Sequence, residues 1–254
     1  MPLILVTNDD GYRSEGIAVL AEALAPLGDV TIVAPMDEAS AIGHALTLRR
    51  PLRLEHMRDN VYAVDGTPTD CVMLAIEALM PERPDFVLSG INHGQNMGED
   101  VLYSGTVAAA MEGLALGVPS IAVSFAGGDL RADVSQLREQ VKVLTPLLKH
   151  LTSLPNFPAD TLFNVNLPPV PADDVKGVKL TRLGRRAYSG SVAPMKDPWG
   201  RHIYWIGGGE ISWHGESDSD FRAVQDGYVS VTPLHLDLTH FDALKGAEQW
   251  WRSL

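Results

Sequence analysis

The stretch Leu3-Ile4-Leu5-Val6-Thr7-Asn8-Asp9-Asp10-Gly11 decides the fold. An unbroken apolar run of strand length stops at two adjacent carboxylates, and Ile17, Leu20, Ala21, Leu24 and Leu27 then recur at helical spacing up to Gly28. A second apolar run, 29–34, follows at once. Buried strand, crossover helix and buried strand are the units of a doubly wound, mostly parallel α/β sheet.

The alternation continues outward. Residues 52–54 and 61–64 read as a short strand pair. Thr67-Pro68-Thr69-Asp70 announces a helix, with Thr67 as N-cap, Pro68 in the first turn and the Asp70 carboxylate reaching back. Its buried stripe is Cys71, Leu74, Ala75, Ala78 and Leu79. Further strands are expected at 85–89, 121–125, 161–167 and 178–180. A small-residue helix is expected at 107–116, ended by Gly117, and a long one from Val134 that Pro146 should kink. Residues 35–47 and 90–105 read as long polar loops, and such loops usually carry function.

Beyond Arg182 the pattern changes. Residues 185–209 hold Tyr188, Trp199, Tyr204 and Trp205 among many glycines without helical period, as extended arms or hairpins do. A strand at 228–232 and a helix through Phe241, Leu244, Glu248 and Trp251 close the chain. The expected organisation is a catalytic core over 1–182 and a C-terminal oligomerisation arm, late strand and terminal helix over 183–254.

The 254 residues are 45% hydrophobic and 20% charged, which describes a globular protein rather than a disordered or fibrous one. A formal charge of −12 repels polyanions, so long nucleic acid is not an expected partner. The N-terminus lacks the basic and apolar regions of a signal peptide, and no run of 18 apolar residues offers a membrane span. One cysteine, Cys71, permits no internal disulfide and fits the reducing cytoplasm.

Three oxygen-rich loops follow strands of one expected sheet, and in such sheets ligands bind at the carboxyl ends of the strands. Asn8-Asp9-Asp10-Gly11 reads either as a turn or as a pair of repelling carboxylates that a divalent cation would relieve. In the 35–47 loop Ser40 offers a hydroxyl to the same cation, and His44 a donor to an anionic substrate. In Ser89-Gly90-Ile91-Asn92-His93-Gly94-Gln95-Asn96-Met97-Gly98 the asparagine oxygens are hard neutral ligands. Tyr103-Ser104-Gly105-Thr106 opens a helix, where free amides and hydroxyls either cap the helix or receive a phosphate.

Those motifs, with Gly66-Thr67-Pro68-Thr69-Asp70-Cys71-Val72 and the late Gly227-Tyr228-Val229-Ser230-Val231-Thr232-Pro233-Leu234, resemble the stationary-phase survival protein SurE family. The resemblance implies a Rossmann-like core and a C-terminal extension exchanged between subunits of a homodimer or homotetramer. It also implies a cytoplasmic, divalent-metal-dependent phosphatase acting on nucleoside 5′- and 3′-monophosphates, with short polyphosphate as a further substrate. Asp9, Asp10, Ser40 and Asn92 would hold one magnesium or manganese ion per subunit, and Asp9 and Asp10 would be the catalytic carboxylates. Asn8, Asn96, Ser104, Gly105 and Thr106 would bind the substrate.

Rival readings lack their residues. A receiver-type signalling module needs a phosphoacceptor Asp after a later strand, where this chain has Ser89, Asn92 and Asn96. A haloacid-dehalogenase-type phosphatase needs Asp-x-Asp after the first strand, and a dinucleotide oxidoreductase needs Gly-x-Gly-x-x-Gly there. A nucleotide-binding regulator without turnover remains as the alternative from another class.

Overall fold

The computed structural model describes residues 1–127, 134–189, 192–206, 210–214 and 216–251. Strand β1 (Leu3–Thr7) lies inside a nine-stranded sheet. On one side of it lie β2 (Asp29–Pro35), β4 (Val61–Val64) and the antiparallel edge strand β3 (Leu54–Arg58). On the other lie β5 (Phe86–His93), β6 (Ser120–Phe125) and β7 (Leu162–Leu167), then β13 (Val229–Leu234) and β8 (Val178–Leu180). The run β4-β2-β1-β5-β6-β7 is parallel throughout, and β13 joins it antiparallel to β7. This is the doubly wound, Rossmann-like α/β fold expected. Its strand order reverses between β1 and β5, the place where such sheets open a crevice.

The period-2 alternation of β1 divides the core. Ile4 and Val6 face α1 (Glu15–Leu24), α4 (Val134–Glu139) and α5 (Val141–Thr152) through Ile17, Leu20, Leu137, Leu144 and Leu148. Leu5 faces the other layer, where Cys71 and Val72 of α2 (Pro68–Leu74) and Ala109 of α3 (Gly105–Ala115) pack with Val33 and Val87. Thr67 and Asp70 form the expected reciprocal cap on α2, which runs on as a π-helical turn over Ala75–Leu79. Among the described residues no helix is long and apolar enough to cross a membrane.

Several boundaries differ from the sequence reading. The long helix breaks at Gln140, whose buried amide donates to the Val170 carbonyl, and not at Pro146. Pro146 and Lys142, four residues before it, lie on the exposed side of α5, while leucines hold the opposite face. Strand β5 runs through Asn92 and His93, which pair with Ser124 and Phe125 beyond a bulge, so the segment 90–105 read as a loop begins as strand and later forms a 3₁₀ turn (Gly98–Leu102). Strand β3 lies at 54–58 rather than 52–54, because an exposed edge strand needs no apolar run. A short helix α6 (Asp220–Gln225) was not foreseen.

The C-terminal region is a ribbon. Strand β9 (Arg185–Ser189) pairs with β12 (Glu210–His214), and further out β10 (Val192–Lys196) pairs with β11 (His202–Ile206), all antiparallel. The side chain of Tyr188 and residues 190–191 and 207–209 of this stretch lie outside the described residues. Beyond the ribbon, β13 enters the main sheet between β7 and β8, so part of the expected C-terminal region is core. The final helix α7 (Phe241–Trp251) forms as expected, the side chains of Glu248 and Trp251 lying outside the described residues.

Candidate active site

Asp9, Ser40, Asn92, Asn96 and Ser104 line one cavity of about 650 Å³ at the carboxyl ends of β1 and β5. Gln95, Tyr103, Asp100 and the ribbon residues Arg186 and Ile206 line it too. The strand-order reversal therefore gathers residues that the chain separates by up to 197 positions.

Asp9 is 4% exposed. Thr106 directs both its hydroxyl and its backbone N–H to the Asp9 carboxylate. Burial pushes Asp9 up to about 6 from its ordinary 3.8; the Thr106 hydroxyl opposes this and neighbouring Asp10 adds to it. Asp10 is also raised, chiefly by burial, with the His93 side chain and its N–H at 3.3 Å pulling the other way. Two adjacent carboxylates of raised pKa need a cation more than either alone.

The neutral oxygens fit the same need. The Asn92 amide nitrogen donates to the Gly94 carbonyl at 2.9 Å, which leaves Oδ1 as its free acceptor. Ser40 is exposed on its loop, with its hydroxyl donating to Glu38 at 2.9 Å. Among the described residues no three His, Cys, Asp or Glu side chains gather as a metal site, so an ion here would draw on Ser40 and Asn92 besides Asp9 and Asp10. Such an all-oxygen set suits magnesium or manganese.

Asn96 is held with unusual rigidity. Its N–H donates to Asn166 Oδ1 at 2.9 Å, its carbonyl accepts from Asn164 and Asn166 at 2.8 and 3.0 Å, and its amide donates to Ser124 at 2.9 Å. Asn164 and Asn166 sit two apart on β7 and so share a face, both fully buried. The Ser104 hydroxyl caps α3 by accepting from Val107 N–H at 3.0 Å, which leaves its own proton for a guest.

Three expected substrate contacts take other places. Asn8 is fully buried, and its amide donates to the Gly11 carbonyl and to Ser14, so it shapes the carboxylate loop from behind. Thr106 is buried, with both donors turned to Asp9 because α3 starts against the end of β1. Gly105 makes that approach possible: a Cβ there would lie 2.7 Å from the Asp9 Cβ. His44 does not reach the cavity either; its Nε2 pairs with Glu112 of α3 at 2.8 Å and ties the Ser40 loop to that helix.

Sequence reasoning missed the groups that join ribbon and site. Asp220, fully buried, accepts from the N–H groups of Gly98, Gly184 and Phe221 at 2.8–2.9 Å. Arg186 pairs with Asp100, its N–H donates to Glu99, and its guanidinium lies over Trp213. No short motif announces contacts across 86 or 122 residues.

The chain matches the family model described as Survival protein SurE over residues 4–190. It is 64% identical over 249 residues to a protein of Gemmatimonas aurantiaca named 5′-nucleotidase SurE, with 98% of each chain covered. It is 48% identical over 248 residues to one of Pelobacter propionicus with the same name, covering 97% of this chain and 98% of the other. Among solved structures, the SurE protein from Aquifex aeolicus superposes with a TM-score of 0.85 at 44% identity, covering 98% of this chain and 99% of that one.

Proposed function

The chain belongs to the survival protein SurE family, and from that premise we propose that it is a 5′-nucleotidase that hydrolyses nucleoside monophosphates with one divalent ion, magnesium or manganese, at Asp9, Asp10, Ser40 and Asn92. The observation that carries the reading is Asp9, a buried carboxylate of raised pKa with the raised Asp10 beside it in the chain, lining one cavity with the neutral oxygen donors Ser40 and Asn92 at the strand-order reversal. When bound, such an ion lowers the pKa of water and offsets phosphate charge.

The chain's own residues do the rest. Asn96, Ser104 and the Gly105 backbone receive the phosphate oxygens at the start of α3. Water attacks phosphorus and the ester P–O bond breaks; the proton that water gives up passes to Asp9 or Asp10 and on to the departing oxygen, so the nucleoside leaves as an alcohol and the carboxylate is restored. Thr106 aims Asp9, and Asn8 holds the loop on which both carboxylates stand.

The same phosphate site accepts 3′-monophosphates and the terminal group of short polyphosphate. The free thiol of Cys71 favours a reducing compartment, the cytoplasm. The ribbon's exposed aromatics join two or four copies of the chain.

Phosphate release from a panel of nucleoside monophosphates, with magnesium, manganese or excess EDTA, tests the activity. Release is expected with metal only and is lost in Asp9→Asn. Nucleotide binding without release under any metal would leave a binding protein instead.

A further inference from the structure

A phosphate group and an ion do not account for the whole cavity. Its volume of about 650 Å³ falls in the middle of the range of sites that enclose an organic molecule, roughly 300–1,000 Å³. Two of its lining residues, Tyr103 and Ile206, are large, apolar and 63% and 88% exposed. They come from unrelated parts of the chain, the turn before α3 and the outer ribbon.

Tyr103 is mounted rigidly. Its N–H donates to the Asp100 carbonyl at 3.0 Å, and its carbonyl accepts from Gly43 at 3.0 Å, so both sides of its backbone are fixed. It immediately precedes Ser104, whose hydroxyl caps α3. Among the described residues the Tyr103 ring stacks on no other ring and its hydroxyl has no hydrogen-bond partner. An aromatic on a fixed stretch of backbone beside a helix start, with its ring exposed and unused, offers a face on which a base can stack. Arg186 adds donors at the same wall, kept in place by Asp100 and Trp213.

We infer that Tyr103 and the ribbon residue Ile206 form the nucleoside-binding part of the cavity, the base stacking on the Tyr103 ring and covering Ile206. The ribbon then takes part in choosing nucleotides over other phosphate monoesters. This rests on the nucleotidase reading above and adds the residues that recognise the nucleoside.

The test compares AMP with β-glycerophosphate, a monoester with no ring, in the native protein, Tyr103→Ala, Tyr103→Phe and Ile206→Ala. The expected result is that the kcat/KM ratio of AMP to β-glycerophosphate falls about tenfold in Tyr103→Ala, the size of one lost base–aromatic stack. The loss enters through KM, Tyr103→Phe restores the ratio, and Ile206→Ala lowers it less. An unchanged ratio overturns the inference, and so does an equal loss on both esters, which would mean that Tyr103 only props Ser104. If the native protein hydrolyses neither ester, the nucleotidase reading fails on its own. Equilibrium dialysis of AMP then decides the inference: weaker binding to Tyr103→Ala supports it and equal binding overturns it.

Discussion

At the scale of single residues, the site depends on how tightly Asp9 is enclosed. Its folded pKa of about 6 stands above the ordinary 3.8, so between those values the folded, metal-free protein holds a proton that the unfolded chain has released. Stability of the metal-free protein therefore falls as pH rises through that window. A cation needs the carboxylate and expels the proton, so metal affinity should rise with pH up to about 6 and level off above it. Calorimetric titration of manganese at pH 5, 6 and 7 checks this, with about tenfold weaker binding per unit below the plateau. A flat profile would remove Asp9 from the ligand set. Gly105 gives a second test: in Gly105→Ala the new methyl must displace an Asp9 side chain 2.7 Å away. We expect kcat/KM to drop on the order of 100-fold and the protein to lose about 1–3 kcal/mol of stability from overpacking at this buried contact, read as a lower thermal midpoint. The sequence placed the carboxylate pair at the end of an apolar run and Ser40, Asn92, Asn96 and Ser104 in oxygen-rich loops, and the structure brings Asp9 and those four to one cavity. The duties of Asn8 and Thr106 were not legible there, since whether a buried hydroxyl faces a substrate or a neighbouring carboxylate depends on the approach of two elements.

At the scale of elements, the buried Asp220 ties three segments together: the turn carrying Asp100, the root of the ribbon and the start of α6. Gly98 takes a positive φ of 55°, and a Cβ there would lie 2.8 Å from the Gly184 carbonyl, so the two backbones are in direct contact at this joint. Replacing Asp220 by Asn keeps one acceptor and turns a donor toward Gly98 N–H. Leaving that buried N–H unpaired costs about 1–3 kcal/mol, which urea unfolding should report as a lower midpoint at unchanged slope. The loosened turn should also raise KM for the nucleotide more than it lowers kcat; an unchanged KM would confine Asp220 to stability. The parallel strands and the α2 cap were readable because period and capping chemistry are local properties of the chain. The insertion of β13 between β7 and β8 was not, because register across the sheet is set by packing. The break at Gln140 escaped for a similar reason: a buried amide reaching the 168–171 connector outweighs a proline on a solvent face.

At the scale of the whole molecule, the ribbon is the part least able to stand alone. A two-stranded antiparallel pair is marginal in water, yet Tyr204 and Trp205 on β11 and Trp199 in the turn between β10 and β11 are 64–78% exposed. Three aromatics at about 150–250 Å² apiece leave on the order of 400 Å² of ring surface uncovered, about half of what one partner contributes to a standard interface. A chain of formal charge −12 repels its own copies at long range, so an association must gain from short-range apolar burial, which these rings supply. The double substitution Tyr204→Glu with Trp205→Glu adds charge where that burial is required and leaves the catalytic sheet untouched. Light scattering should then give the mass of a single chain, 27.5 kDa, where the unaltered protein gives a multiple of it, with the circular dichroism of the core preserved. Since Ile206 borders the same pair and lines the cavity, the dissociated chain should also show a raised KM for nucleotides with metal binding intact. A mass equal to that of the unaltered protein would show that the ribbon's rings do not hold copies together, and the surface serving association would have to lie elsewhere.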